Sequence, residues 1–358
     1  MKKVMVFIIA LVFLFSLVGC SSPETSTNSA APSESASQSA AQSDVASQPA
    51  QKYTLRFAYT LATDHDMSKV FEAFADDVYE RTNGGLEITT FPAGQLGTQP
   101  ENLESVMLGS LDMCYADTSM LITYVPEYSL LGLPWLITNF DIADQLFYNS
   151  DIVGQIDSKL EEKMNMKTLG WCYQGFRDFC TTMPLTCLAD CQGVKLRSPE
   201  IDLYLDTFTL MGFNPTVITW TEAYTAMQSG VVDGVDTVKS SIDSYGFTSI
   251  GKYVWNSNHM FSSVGIVVNK DVLAGLPQEY QDVLFAAWAD ATEASNQYVK
   301  DKDEEYIDIF ESQGATVTYT KDITEFHDAF RDYWYQNAEE NGYSDLLDQL
   351  MVIVEDYS

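Results

Sequence analysis

Basic residues are scarce in this chain, with 19 Lys+Arg against 51 Asp+Glu. Two of them stand twenty residues apart, Arg177 in "GFRDF" and Arg197 in "GVKLRSP". Arg197 follows a short apolar strand pattern, and a second apolar run nearby ends on Trp220. A guanidinium is a planar fork of donors that fits a carboxylate through two parallel hydrogen bonds. An indole adds a large apolar face and one N–H. The chemistry open to such residues is anion binding. Signs of catalysis are missing: there is no G-x-S-x-G, H-E-x-x-H, G-x-G-x-x-G or P-loop. His65, His259 and His327 are the only histidines, and none has a ligand-like partner in sequence. Abundant carboxylates can still hide an acid/base pair.

The formal net charge of -32 opposes binding to nucleic acid or to anionic lipid. At 358 residues and 46% hydrophobic, the chain is long enough for two domains with a sizeable core. Its first nineteen residues read as a leader. Lys2 and Lys3 precede an apolar stretch, 4–18, too short for a comfortable membrane span. The stretch ends "LVGC", which resembles a bacterial lipobox and implies that Cys20 becomes a lipidated N-terminus. A plain secretory signal with a chance cysteine is the alternative. Residues 20–50 form a Ser/Ala-rich linker that cannot bury a core. Five cysteines remain, at 114, 172, 180, 187 and 191. They fit free buried thiols, one disulfide within the cluster or a metal, and the missing C-x2-C pairs weigh against the metal.

Strand and helix patterns alternate from residue 53, which predicts an α/β fold with largely parallel sheets. "YTLRFAYT" and "LEITTF" alternate as strands. Between them, 67–81 has apolar residues at helical spacing, stopped by "NGG". Thr98 and Glu101 stand at capping-box spacing before a helix over 100–108, as do Thr219 and Glu222 before a helix that ends at Gly230. "LDMCYAD", "MKTLGWCY", "FRDFCTT", "GVKLR", "PTVI", "SSVGIVVN" and "GATVTYT" read as further strands. Helices are expected over 199–211, 322–341 and 343–355. A pattern from Pro277 to about Ser312 is long enough to brace more than one domain.

Three stretches together resemble one family: "FPAGQLGTQPENLESVMLGSLDM", "GFRDFCTTMPLTCLADCQGVKLRSP" and "MGFNPTVITWTEAYTAMQSGVVDGVDT". They look like the substrate-binding protein of a tripartite ATP-independent periplasmic (TRAP) transporter, the DctP-like family. The resemblance implies a two-lobed periplasmic-binding-protein-like fold, with hinge strands crossing between lobes and a long helix across both. Lobe one would comprise 51–173 plus 262–302, and lobe two 174–261 plus 303–358. A small organic anion would bind in the cleft and pass to the small and large membrane permease subunits. No cofactor, metal or catalysis is implied, and the protein would be extracytoplasmic and lipid-anchored.

On that resemblance Arg197 matches the carboxylate-clamping arginine, Arg177 the family's second arginine and Trp220 an aromatic that covers the ligand. Asp236 and Thr237 stand where the family often has an acidic residue and an asparagine, and a threonine hydroxyl replaces only one of two amide hydrogen bonds. Glu200 is placed to neutralise part of Arg197, and Asp178 to pair with Arg177. From lobe one, Tyr59, Asp64, His65, Asp117 and Thr118 should face the cleft by their positions at strand ends and loops. Competing readings are a binding protein for an ABC transporter or a sensor, an enzyme acting on a carboxylate, and a structural surface lipoprotein.

Overall fold

The computed structural model describes residues 51–357, so the leader, Cys20 and the linker lie outside the described residues. The first elements are β1 (Tyr53–Ala58), α1 (Asp66–Arg81), β2 (Leu86–Phe91), α2 (Gln99–Met107) and β3 (Met113–Asp117). Then come α3 (Phe140–Tyr148), α4 (Ile152–Met164) and the long β4 (Met166–Thr181). The middle holds β5 (Lys195–Ser198), α5 (Asp202–Met211), β6 (Asn214–Val217), α6 (Trp220–Gln228), β7 (Gly234–Val238) and α7 (Lys239–Ser244). After these follow β8 (Tyr253–Asn269), α8 (Lys270–Ala274), α9 (Gln278–Lys302) and α10 (Glu305–Ser312). The chain closes with β9 (Thr316–Tyr319), α11 (Ile323–Asn341) and α12 (Ser344–Tyr357).

Local chemistry sets the ends of these elements. His65 caps α1, its Nδ1 accepting from Met67 N at 3.1 Å. The helix buries Met67, Phe71, Phe74 and Val78, one face at helical spacing. It stops where Asn83 and Gly84 turn to positive φ, 51° and 75°. Thr98 and Glu101 form both bonds of the capping box of α2, worth about 1 kcal/mol. At α6 the expected box is different: Thr219 Oγ1 donates to Glu222 Oε2 at 2.8 Å, and neither side chain caps the backbone.

The nine strands of the described residues join one mixed sheet in the order β2-β1-β3-β8-β4-β7-β5-β6, with β9 on β8. β1, β2 and β3 run parallel, as do β5, β6 and β7. The two groups are joined by β4 and β8, antiparallel strands that cross from one lobe to the other. The "MKTLGWCY" and "FRDFCTT" patterns are therefore one strand, not two. Gly170 (φ 129°) and Gly175 (φ 97°) let β4 bend without ending, and the β4–β8 register shifts beside each.

Helix α9 covers these irregularities. Trp288 Nε1 donates to Gly170 O at 2.9 Å, and Asn296 Oδ1 accepts from Tyr173 N at 2.7 Å. Backbone groups freed by the bends are thus satisfied by side chains. The expected 277–312 helix breaks at Asp303 and Glu304 and resumes as α10.

One core lies under β1–β3, where Phe57, Phe71, Phe74 and Trp288 pack between the sheet and α1 and α9. Another, with Met227, Val235, Phe247 and Phe310, fills the β7 side. Of the 303–358 stretch, β9 and α10 join that side through β8 and α7. Helices α11 and α12 instead pack on the 126–131 turn, α3 and α4, residues expected in lobe one. Phe326 there meets Trp135 at 4.3 Å between ring centroids.

Candidate functional site

Between the lobes lies a cavity of about 70 Å³, and both arginines line it. Arg197 sits near the end of β5, in register with Val235 of β7 and Thr216 of β6. It is 5% exposed, yet its guanidinium makes a single protein hydrogen bond among the described residues, Nε to Ile218 O at 2.8 Å. Its Cζ lies 5.5 Å from the Trp220 ring centroid, a cation–π contact. Burial lowers its pKa to about 10, Asp236 opposes the shift, and the charge persists at neutral pH. A buried cation with its outer nitrogens unmatched is a site for an anion.

Arg177 is similarly buried, but its Nε and Nη2 are both taken up by Asp236. Its Nε donates to Asp236 Oδ2 at 2.7 Å, and its Nη2 donates to Oδ1 at 2.7 Å and to the Asp236 carbonyl at 3.1 Å. His259 Nε2 lies 3.0 Å from the same Oδ2, and the His259 ring stacks on Phe179 at 4.0 Å. Burial pushes the Asp236 carboxyl up, but the Arg177 guanidinium outweighs it and holds the pKa well below the usual range. Asp178 does not pair with Arg177. It accepts from the backbone N–H of Ser257 and Asn258 and lies 3.2 Å from Lys239 Nζ. Alternation along β4 explains this, because neighbouring side chains point to opposite faces.

The remaining expected residues divide. Trp220, Thr237 and Asp117 line the cavity with the arginines. Asp236 stands behind Arg177. Asp117 Oδ1 accepts from Ser119 N at 2.9 Å and Ser119 Oγ at 2.7 Å. Burial raises its pKa, and the charge on Arg177 with the Ser119 bonds offsets only part of that. His65 is buried and lines the larger α1–α9 groove instead of this cavity, though its Nε2 lies 3.2 Å from Oγ of the cavity-lining Ser241. Because its Nδ1 accepts from Met67, the proton sits on Nε2. Tyr59, Asp64 and Thr118 do not reach the cavity. Tyr59 packs with Phe57 and Phe71 and donates to Glu72, Asp64 is exposed, and Thr118 bonds to Ser263 across β3 and β8. Glu200 is exposed and forms no ion pair with Arg197 among the described residues.

Several lining residues escaped sequence reading. Tyr115 shares a strand face with Asp117, a signal that period-two alternation carries. Gln174 lies at a β4 register shift, donates to the Tyr115 hydroxyl at 3.2 Å and accepts from Ser262 Oγ at 3.0 Å. The Tyr204 ring lies 5.0 Å from the Arg177 Cζ. Gln99 Nε2 is buried with no acceptor among the described residues. Trp220 Nε1 is buried near the Tyr245 hydroxyl but closes no hydrogen bond with it. The cavity wall thus carries more donors than the protein satisfies.

A larger groove, about 590 Å³, runs between α1 and α9, and its charged side chains are paired. Asp66 Oδ2 accepts from the Tyr298 and Tyr306 hydroxyls at 2.9 and 3.0 Å, and Lys239 pairs with Asp303 at 3.1 Å. The five cysteines of the described residues are free thiols. Among the described residues, no group of three His, Cys, Asp or Glu is arranged to hold a metal.

The chain is 27% identical over 257 residues to the sialic acid-binding periplasmic protein SiaP of Vibrio cholerae, covering 72% of this chain and 79% of that one. It is 25% identical to the C4-dicarboxylate-binding periplasmic protein DctP of Rhodobacter capsulatus, covering 75% and 80%. A TRAP periplasmic solute-binding protein of Polaromonas, solved bound to D-erythronate, superposes with a TM-score of 0.78 at 25% identity, covering 85% and 98%. These relatives are binding proteins, not enzymes. The model of the bacterial extracellular solute-binding protein family 7, DctP, matches residues 57–341, and the chain belongs to that family.

Proposed function

We propose that this protein captures a small organic acid in the interlobe cavity and delivers it to the small and large permease subunits of a TRAP transporter. The observation that carries the reading is Arg197, a buried guanidinium with one protein hydrogen bond facing a donor-rich cavity. Arg197 clamps the ligand carboxylate, Trp220 covers the ligand, and Thr237 adds a hydroxyl. Arg177, held by Asp236, positions this wall. The relatives named above support the ligand class, since sialic acid, C4-dicarboxylates and D-erythronate are all carboxylates. The lobes, 51–173 plus 262–302 with α11 and α12 packed on the first of these stretches, and 174–261 with α10 and β9, close on the ligand about the bends in β4. Lipidation at Cys20 keeps the receptor on the outer side of the membrane, and mass spectrometry of the mature N-terminus reads that modification.

A thermal-shift screen of the protein against short organic acids tests the binding reading. A ligand that binds only the folded state raises stability by about 2.7 kcal/mol at a hundredfold excess over Kd. At least one carboxylate should shift the transition, whereas its primary amide should not. A shift from neutral analogues alone would refute the reading.

A further inference from the structure

The charges lining the cavity restrict the ligand further, and this inference rests on the organic-acid reading above. Four formal charges bear on the cavity. Arg177 and Asp236 cancel each other in a two-point ion pair. Arg197 has no carboxylate partner among the described residues, and Asp117 faces the same space from the other lobe. One unmatched cation therefore stands opposite one anion. A ligand carboxylate on Arg197 completes that cation's needs. Asp117 keeps Oδ1 for Ser119, while Oδ2 makes no protein hydrogen bond among the described residues. An ionised carboxylate only accepts hydrogen bonds. A second ligand carboxylate at that wall would meet a like charge, and Arg177, already in a two-point pair with Asp236, could offer it only Nη1.

We infer that the site selects a short monocarboxylate carrying a hydrogen-bond donor, a hydroxyl or an ammonium, beside Asp117, and discriminates against dicarboxylates. Asp117 is the specificity-determining residue. The carboxylate is held from lobe two by Arg197 and the donor from lobe one by Asp117, so one ligand bridges the cleft. Burial already raises the Asp117 pKa, and a second anion beside it would add to that unfavourable charge. The cavity's size agrees with a short ligand: about 70 Å³ holds roughly five waters at ~10–15 Å³ each.

Calorimetric titration of the protein with matched acids decides the matter. The panel is glycerate and threonate as hydroxy acids, serine and threonine as amino acids, butyrate without a donor, and succinate and glutarate as dicarboxylates. A hydroxy or amino acid should bind at least tenfold more tightly than butyrate and either dicarboxylate, and the hydroxy and amino arms identify which donor is used. Asp117→Asn retains an acceptor for the Ser119 N–H but loses the charge. It should narrow the gap between the preferred acid and succinate by tenfold or more. Succinate or glutarate binding wild type as tightly as the best hydroxy or amino acid would overturn the inference while leaving the organic-acid reading intact. So would an Asp117→Asn variant with an unchanged ratio. If no acid of the panel binds, the organic-acid reading itself falls, and the inference with it.

Discussion

Arg177 and Arg197 are buried to the same degree and line the same cavity, yet their surroundings are opposites. Around Arg177, at the crossing of β4, β7 and β8, a carboxylate that His259 also holds, a carbonyl and an aromatic ring take up most of the guanidinium. Around Arg197, at β5, there is one carbonyl and the face of an indole. A buried guanidinium is costly unless matched. The first match is internal and belongs to the fold; the second is left to a visitor. Sequence type alone gives both residues the same chemistry, and the neighbours decide which is structural.

The comparison breaks most visibly at Asp236. Removing it leaves Arg177 buried without a partner, and cutting one side of a buried pair typically costs about 3–5 kcal/mol. Asp236→Ala should therefore lower the denaturation midpoint strongly. A variant as stable as wild type would show that Arg177 is no better matched than Arg197. Next comes Arg197→Lys, which keeps the charge but loses the fork. Each charge-assisted hydrogen bond is worth about 1.5–3 kcal/mol. Losing one or two should weaken ligand binding by roughly ten- to several-hundredfold, at about 1.4 kcal/mol per tenfold. The melting temperature of the ligand-free protein should barely change. If Arg177→Lys weakens binding and Arg197→Lys does not, the two roles are exchanged.

Acid gives a gentler version of the first cut. The Asp236 pKa is depressed in the folded state, so its contribution is fully present above the ordinary carboxylate pKa near 4. It is lost progressively as pH falls below that value towards the folded pKa. Wild type should lose stability on acidification through this window, and Asp236→Asn should lose less. Parallel pH–stability curves for the two proteins would remove Asp236 from the account.

Much of the site's frame was legible. The capping box at Thr98 and Glu101, the helical face of α1 and the strand leading to Arg197 all follow from local spacing. What local spacing does not carry is partnership across the sheet. Asp236 meets Arg177 only because β7 lies antiparallel beside β4, with Asp236 opposite Phe179. Tyr59 looked like a cleft residue because it follows a strand, but its ring joins Phe57 and Phe71 in the core. Thr118 likewise reads as a loop hydroxyl, though Ser263 on β8 claims it. The continuity of β4 was hidden by its glycines. Gly170 and Gly175 resemble strand breakers until Trp288 and Asn296 of α9 are seen beside the bends.

The placement of β8 also sets the order in which the chain can fold. Its Val268 pairs with Met113, about 150 residues earlier, and the same strand pairs with β4 along most of its length. Until residue 269 is available, β1, β2 and β3 form a three-strand ribbon with an open edge at β3. The second group is no better placed, since β4 lacks its neighbour on one side. Contacts of such long range form late and slowly, after the entropy of closing a large loop has been overcome. Neither lobe is a separate folding unit in chain order. The strand that joins the halves is also the last piece each half waits for, and the unpaired β3 edge is the part of the nascent chain most exposed to misassociation.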